Sequence, residues 1–185
     1  MTLPKSKISF AVTTHNEGEY IQRLLDQLIP HCKETGDEIV ILDDYSDDEV
    51  TKNILFNALE TAGQENSGWN LKLGFQRLNS DFANQKNRLN SMCKGEYIFQ
   101  IDADETFHPG LLMYLHDIVE ANETIDLFAI PRVNTVEGLT EEDIRRWGWR
   151  ISKLESQTDE KVLDTDSDEY KMLKKHGLII EETKK

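Results

Sequence analysis

Gly95-Glu-Tyr-Ile-Phe-Gln-Ile-Asp-Ala-Asp-Glu105 opens on a glycine, passes through strand-forming residues and breaks abruptly into acids. Tyr97, Ile98, Phe99 and Ile101 predict a strand, because aromatic and β-branched side chains suit a pleated, enclosed surface. Asp102, Ala103, Asp104 and Glu105 then predict a loop at its carboxyl end.

The same order recurs upstream. Residues 8–13 form a short apolar run that closes in Thr13-Thr-His-Asn-Glu17, and residues 38–42 form another that ends in Asp43-Asp-Tyr-Ser-Asp-Asp48. A polar, glycine-bearing loop over 62–70 leads to a third strand at 71–76. Between these runs, apolar residues recur at helical spacing: Ile21, Leu24, Leu25 and Leu28; then Ile54, Leu55 and Ala58; then Phe82, Leu89 and Met92. The third helix is expected to stop at Gly95 in a left-handed conformation. A fourth begins at Pro109 and carries Leu112, Leu115 and Val119, and residues 127–133 predict a fifth strand. Such alternation predicts an α/β fold with a mostly parallel central sheet and helices on both faces. Ligands in these sheets bind at the carboxyl ends of strands, so the three polar clusters are expected on one rim.

The chain has 185 residues, 38% of them hydrophobic, enough for one sizeable core. Residues 1–154 read as one domain. Residues 155–185 read as an acidic tail, poor in apolar residues over 155–169, with a short helix at 170–180. A formal charge of −14 argues against a general nucleic-acid or membrane-surface binder. No stretch approaches the ~18 apolar residues that span a bilayer, and residues 1–7 lack an apolar signal core. Cys32 and Cys93 lie far apart in apolar stretches, as buried free thiols do, and a cytoplasmic location is expected.

Each cluster has a chemical reading. Asp102 and Asp104, one residue apart, suit a shared hard divalent cation, which neutralises a diphosphate leaving group. Solvated turn carboxylates are the plainer alternative. Asp44 is placed to accept a proton from a base or a ribose hydroxyl. Asp48 is expected to cap the following helix, and Asn16 the first one. His15 is expected to be a packed side chain rather than a base.

These segments, with Asp81-Phe-Ala-Asn-Gln-Lys-Asn87 between them, resemble the family 2 inverting glycosyltransferases, nearest to the bacterial lipopolysaccharide-core-type subgroup. The resemblance covers about residues 7–135, and its specificity lies in four motifs in the right order. It implies a nucleotide-diphospho-sugar transferase (GT-A type) fold, a bound Mn2+ or Mg2+ ion, and one displacement that inverts the anomeric carbon. By the resemblance, Thr13 and Glu17 flank the nucleotide, Asp44 contacts the base and Asp43 supports that loop. Lys86 stands where the family usually has arginine, beside Asn87 in the donor pocket; lysine keeps the charge and loses the planar fork. Asp102 lies near ribose or sugar in the Asp-x-Asp motif, and Asp104 ligates the metal. The donor implied is a nucleoside-diphosphate sugar, a UDP-sugar first, and the acceptor a glycan or other hydroxyl.

The family's catalytic base comes from the region after the fifth strand. Glu141 and Glu142 are the candidates there, beside Glu137 and Asp143, although Thr140 followed by three acids is also an ordinary capped helix start. Trp147 and Trp149 suit stacking on a sugar face, or plain packing. A nucleotide-sugar-binding protein without transfer activity is the alternative, since the acceptor half reads as abbreviated. A nucleotidyltransferase is disfavoured by the lack of a glycine-rich basic loop near the first strand. A nucleic-acid acceptor finds no electrostatic support, and a homo-oligomer stays open.

Overall fold

The structure, a computed structural model, describes residues 7–132 and 140–147. The chain divides into two compact units, Met1–Phe128 and Ala129–Lys185. Among its described residues the first holds four strands, β1 (Ile8–Thr14), β2 (Glu38–Asp43), β3 (Asn70–Phe75) and β4 (Tyr97–Asp102), and four helices, α1 (Glu19–Thr35), α2 (Glu49–Ala62), α3 (Phe82–Met92) and α4 (Pro109–Glu120). The strands form one sheet in the order β3-β2-β1-β4, and every neighbouring pair is parallel. The expected α/β architecture is therefore present, with element bounds within a few residues of the sequence reading.

Alternation along the strands sorts the core. Phe10, Val12, Ile39, Ile41 and Ile101 share one buried cluster with Leu24, Leu25 and Leu28 of α1, Leu55 of α2, and Leu115 and Val119 of α4. Ala11, Val40 and Leu42 cluster instead with Leu89 of α3, packed by Met92 and Cys93. Each fully buried Leu or Ile contributes about 1.5–3 kcal/mol relative to exposure, so removing either helical layer uncovers a whole sheet face. Cys32 and Cys93 are free thiols. Burial, assisted by the charge of Asp37, pushes the Cys32 thiol up to about 12, which makes it an inert packing group.

Two expectations are corrected. Residues 127–132 form no strand, and Val133 lies outside the described residues. Leu127 is 85% exposed, and Pro131 supplies no N–H to a ladder, so apolar character alone does not create a strand here. Gly95 does not end α3: the helix stops at Met92, Cys93 is already extended, and Gly95 has no positive φ. A Cβ on Gly95 would stand 2.6 Å from the Ser9 nitrogen and 2.8 Å from both the Ile8 carbonyl carbon and the Lys7 oxygen. Close passage over the start of β1, not backbone handedness, requires the glycine.

In the second unit, α5 (Glu141–Trp147) has the capped start that the sequence offered as one reading. The Thr140 amide donates to Asp143 Oδ2 at 3.1 Å, and the Asp143 amide donates back to Thr140 Oγ1 at 3.2 Å. The acidic stretch 155–169 and the helix expected at 170–180 lie outside the described residues.

Candidate functional site

Strand register brings the clusters together. Thr14 is paired with Asp43 across β1 and β2, Thr13 with Asp102 across β1 and β4, and Asp43 with Phe75 across β2 and β3. The three polar clusters thus leave the sheet on one rim. The chain moves outward from β1 to β2 and β3, then returns to the other side of β1 with β4. Thr13 and Asp102 therefore sit at the point where strand order reverses, where open α/β sheets form their ligand crevice.

At that point three of the expected residues touch. Thr13 Oγ1 donates to Asp102 Oδ1 at 2.6 Å, and Lys86 Nζ, reaching in from α3, donates to Thr13 Oγ1 at 3.1 Å and to Asp102 Oδ1 at 3.0 Å. Asp81 caps α3 by accepting from the Asn84 amide at 2.9 Å, which fixes where Lys86 projects. Asn87 is exposed on the same helix. Asp104 is exposed on the turn after β4, and no described residue pairs with its carboxylate.

The second loop is built around Asp43, which is 1% exposed. Its Oδ2 accepts from the Ser46 amide at 2.9 Å and its Oδ1 from the Ser46 hydroxyl at 2.5 Å, which ties the loop to the end of β2. Asp44 is half-buried and uses Oδ1 to accept from the Leu78 amide at 2.8 Å. Asp48 caps α2 as expected, through the Thr51 amide at 2.8 Å. Glu17 turns onto its own loop, where it accepts from Thr14 Oγ1 at 2.7 Å and from the His15 amide; it braces the first loop.

Asn16 does not cap α1, whose N-cap is Gly18 with no side-chain bond. Held at φ 57°, it links two loops instead: Nδ2 donates to Asp47 at 2.8 Å, and Oδ1 accepts from the Asp47 amide at 2.9 Å. His15 is exposed rather than packed, with Nδ1 3.0 Å from the Asp44 carbonyl oxygen. These cross-loop bonds depend on residues about thirty apart in sequence, which is why local motif reading misassigned Asn16 and His15.

Sequence reasoning also missed an aromatic ledge beside the second loop. Tyr45, at φ 51°, packs 5.9 Å from Phe75, and the Arg77 guanidinium lies 5.1 Å from its ring centroid. With Lys52 and Phe56 these rings border an open apolar depression of about 290 Å3 that reaches Asp43. The available signal was a tyrosine inside a run of acids.

Of the candidate bases, Glu141 and Glu142 open α5, and Glu142 is exposed. Asp143 is engaged by Thr140, whose hydroxyl holds its carboxyl below the usual range. Trp147 is 55% exposed. Trp149 and Glu137 lie outside the described residues. Among the described residues no helix is long and apolar enough to cross a membrane.

Comparison with known proteins places this geometry. Two crystal structures of S. aureus TarS residues 1–349, one of them in complex with UDP, match with a TM-score of 0.50 at 24% identity. The match covers 63% of this chain and 33% of each TarS chain. A further TarS crystal structure matches equally, with 20% of its length covered, so this chain spans a third or less of these relatives. No curated protein sequence matches significantly. The likeness bears on the fold, a parallel-sheet GT-A type domain. The model of glycosyl transferase family 2 matches residues 9–178, nearly the whole sequence and every rim cluster, and the chain belongs to that family.

Proposed function

We propose that this chain is the donor-binding and transferring part of a glycosyltransferase that moves a sugar from a nucleoside-diphosphate sugar to a hydroxyl acceptor with inversion. The observation that carries it is the meeting of Thr13, Lys86 and Asp102 at the strand-order reversal of a family 2 domain. The UDP complex of the TarS structure supports a uridine nucleotide as the donor's leaving group. In this reading residues 1–154 form the transferase domain, residues 155–185 an acidic tail, and the acceptor is a glycan, of lipopolysaccharide-core kind or another.

Asp102 and Asp104 fit a divalent Mg2+ or Mn2+ ion in donor chemistry: both are carboxylates, hard oxygen ligands, and Asp104 has no protein partner among the described residues. Such an ion, when bound, neutralises charge on the departing diphosphate. Lys86 adds a second positive charge at the same rim, and its hydrogen bonds to Thr13 and Asp102 orient it before the donor arrives. Glu141 or Glu142 takes the proton of the acceptor hydroxyl, as an inverting displacement requires.

Purified chain, titrated with UDP-sugars with and without Mn2+ and then supplied with acceptor glycans, should bind donor more tightly with metal and release UDP on transfer. Glu141→Gln or Glu142→Gln should stop transfer and spare donor binding. Donor binding without release from any acceptor supports the alternative, a nucleotide-sugar-binding protein. Absence of donor binding overturns both readings.

Asp44 permits a sharper test of the base contact. Asp44→Asn keeps an oxygen for the Leu78 amide but replaces one acceptor with an N–H donor, so the loop should persist while nucleotide preference changes. Loss of a hydrogen bond from a charged acceptor, about 1.5–3 kcal/mol, predicts roughly a 10- to 150-fold weaker affinity for UDP. Equal affinities for UDP, GDP and ADP before and after the substitution would assign Asp44 to loop support alone.

A further inference from the structure

At the end of the sheet opposite the rim, three metal-ligating side chains from separate segments converge. His31 lies near the end of α1, Asp37 in the loop before β2, and His116 on α4, and one donor atom from each falls within 4.8 Å of the other two. Asp37 is 0% exposed and His116 4%. Both imidazoles aim Nε2 at the same oxygen, Asp37 Oδ2, His116 from 2.8 Å and His31 from 3.2 Å.

Hydrogen bonds among protein groups leave the charge of this cluster unbalanced. Among the described residues no lysine or arginine pairs with Asp37, so two neutral imidazoles would leave a buried carboxylate charge uncompensated.

We propose that His31, Asp37 and His116 form a structural site for a divalent transition-metal ion, zinc by preference, separate from the Asp102–Asp104 rim. Two imidazoles and one carboxylate are a known zinc donor set, with water in the fourth position. Bonds of about 2.0–2.1 Å in a tetrahedron separate neighbouring ligand atoms by about 3.3 Å, close to the 3.2 Å from His31 Nε2 to Asp37 Oδ2. Closure around an ion requires His116 to withdraw by a few tenths of an ångström. Ligand orientation is already set around Asp37: the Ile8 amide donates to Oδ1 at 2.9 Å and the Thr35 hydroxyl to Oδ2 at 2.8 Å. The ion would tie α1 and α4 to the amino end of β2. From there to the rim is the length of a six-residue strand, about 20 Å, too far for the ion to touch a donor sugar.

The test uses the full chain carrying D102N and D104N, so that the rim contributes no bound metal. After loading with zinc and gel filtration, one zinc per chain should be retained by elemental analysis, and adding His31→Gln or His116→Gln should lower zinc affinity at least tenfold. Cobalt(II) in place of zinc, with both histidines intact, should give the strong visible bands of four-coordinate cobalt, and zinc should abolish them. This second measurement decides the matter if a histidine variant does not fold. No retained zinc with no visible cobalt spectrum, or equal zinc uptake by folded His31→Gln and His116→Gln chains, would show the cluster to be a hydrogen-bonded clamp and overturn the proposal.

Discussion

Under the metal-assisted transfer proposed above, Asp104→Ala is expected to cut sugar transfer on the order of 100- to 1000-fold and to abolish the gain in donor affinity expected from Mn2+ or Mg2+. The magnitude follows from the several kcal/mol of leaving-group stabilisation a Lewis acid supplies, at about 1.4 kcal/mol per factor of ten. The fold should tolerate the change, because the side chain is exposed on a turn and no described residue pairs with its carboxylate. Calorimetric titration of UDP-sugar with and without Mn2+ isolates the binding part from turnover. Asp102→Ala should behave differently: it also removes the acceptor for Thr13 and Lys86, so metal-independent donor binding should fall as well. Identical metal dependence in the wild-type and Asp104→Ala chains would return Asp104 to a solvated turn carboxylate.

Gly95→Ala should be the most damaging conservative change in the fold, at about 3 kcal/mol, the upper part of the usual overpacking range. The added carbon meets only backbone, the Ser9 nitrogen, the Ile8 carbon and the Lys7 oxygen, and backbone held in a parallel ladder cannot rotate away. The strands it would part are β1 and β4, which carry Thr13 and Asp102, so donor binding should weaken along with stability. At about 2–4 °C per kcal/mol for a chain of this size, the melting temperature should fall by roughly 6–12 °C. Gly36→Ala is the matched control. Gly36 has φ 79° with open space around its missing Cβ, so only the left-handed conformation is penalised, at about 1–2 kcal/mol. Thermal unfolding followed by circular dichroism ranks the two, and a Gly95→Ala chain as stable as Gly36→Ala would refute the close-approach account.

Sequence alone determined the order and kind of elements in the first unit, because strand and helix periods are local properties of side-chain spacing. It also placed Thr13, Asp43, Asp44, Asp102 and Asp104 on one rim, since parallel strands joined by crossovers point their carboxyl ends the same way. Asp48 and Thr140 were readable as caps for the same reason: a cap acts within three residues. Gly95 was legible as a glycine with a purpose, but the purpose was misread, since a neighbouring strand's backbone is invisible to a pattern along one segment.

Tertiary structure decided everything that depends on two distant segments meeting. The Lys86 bond to Asp102, the Asn16 tie to Asp47 and the convergence of His31 and His116 on Asp37 span 16, 31, 6 and 79 positions. Even the 6-residue pair depends on where α1 ends and β2 begins. A strand at 127–133 failed for the complementary reason: apolar spacing states what a segment can bury, while a ladder needs a partner edge with donors opposite acceptors, and only the folded sheet supplies that edge.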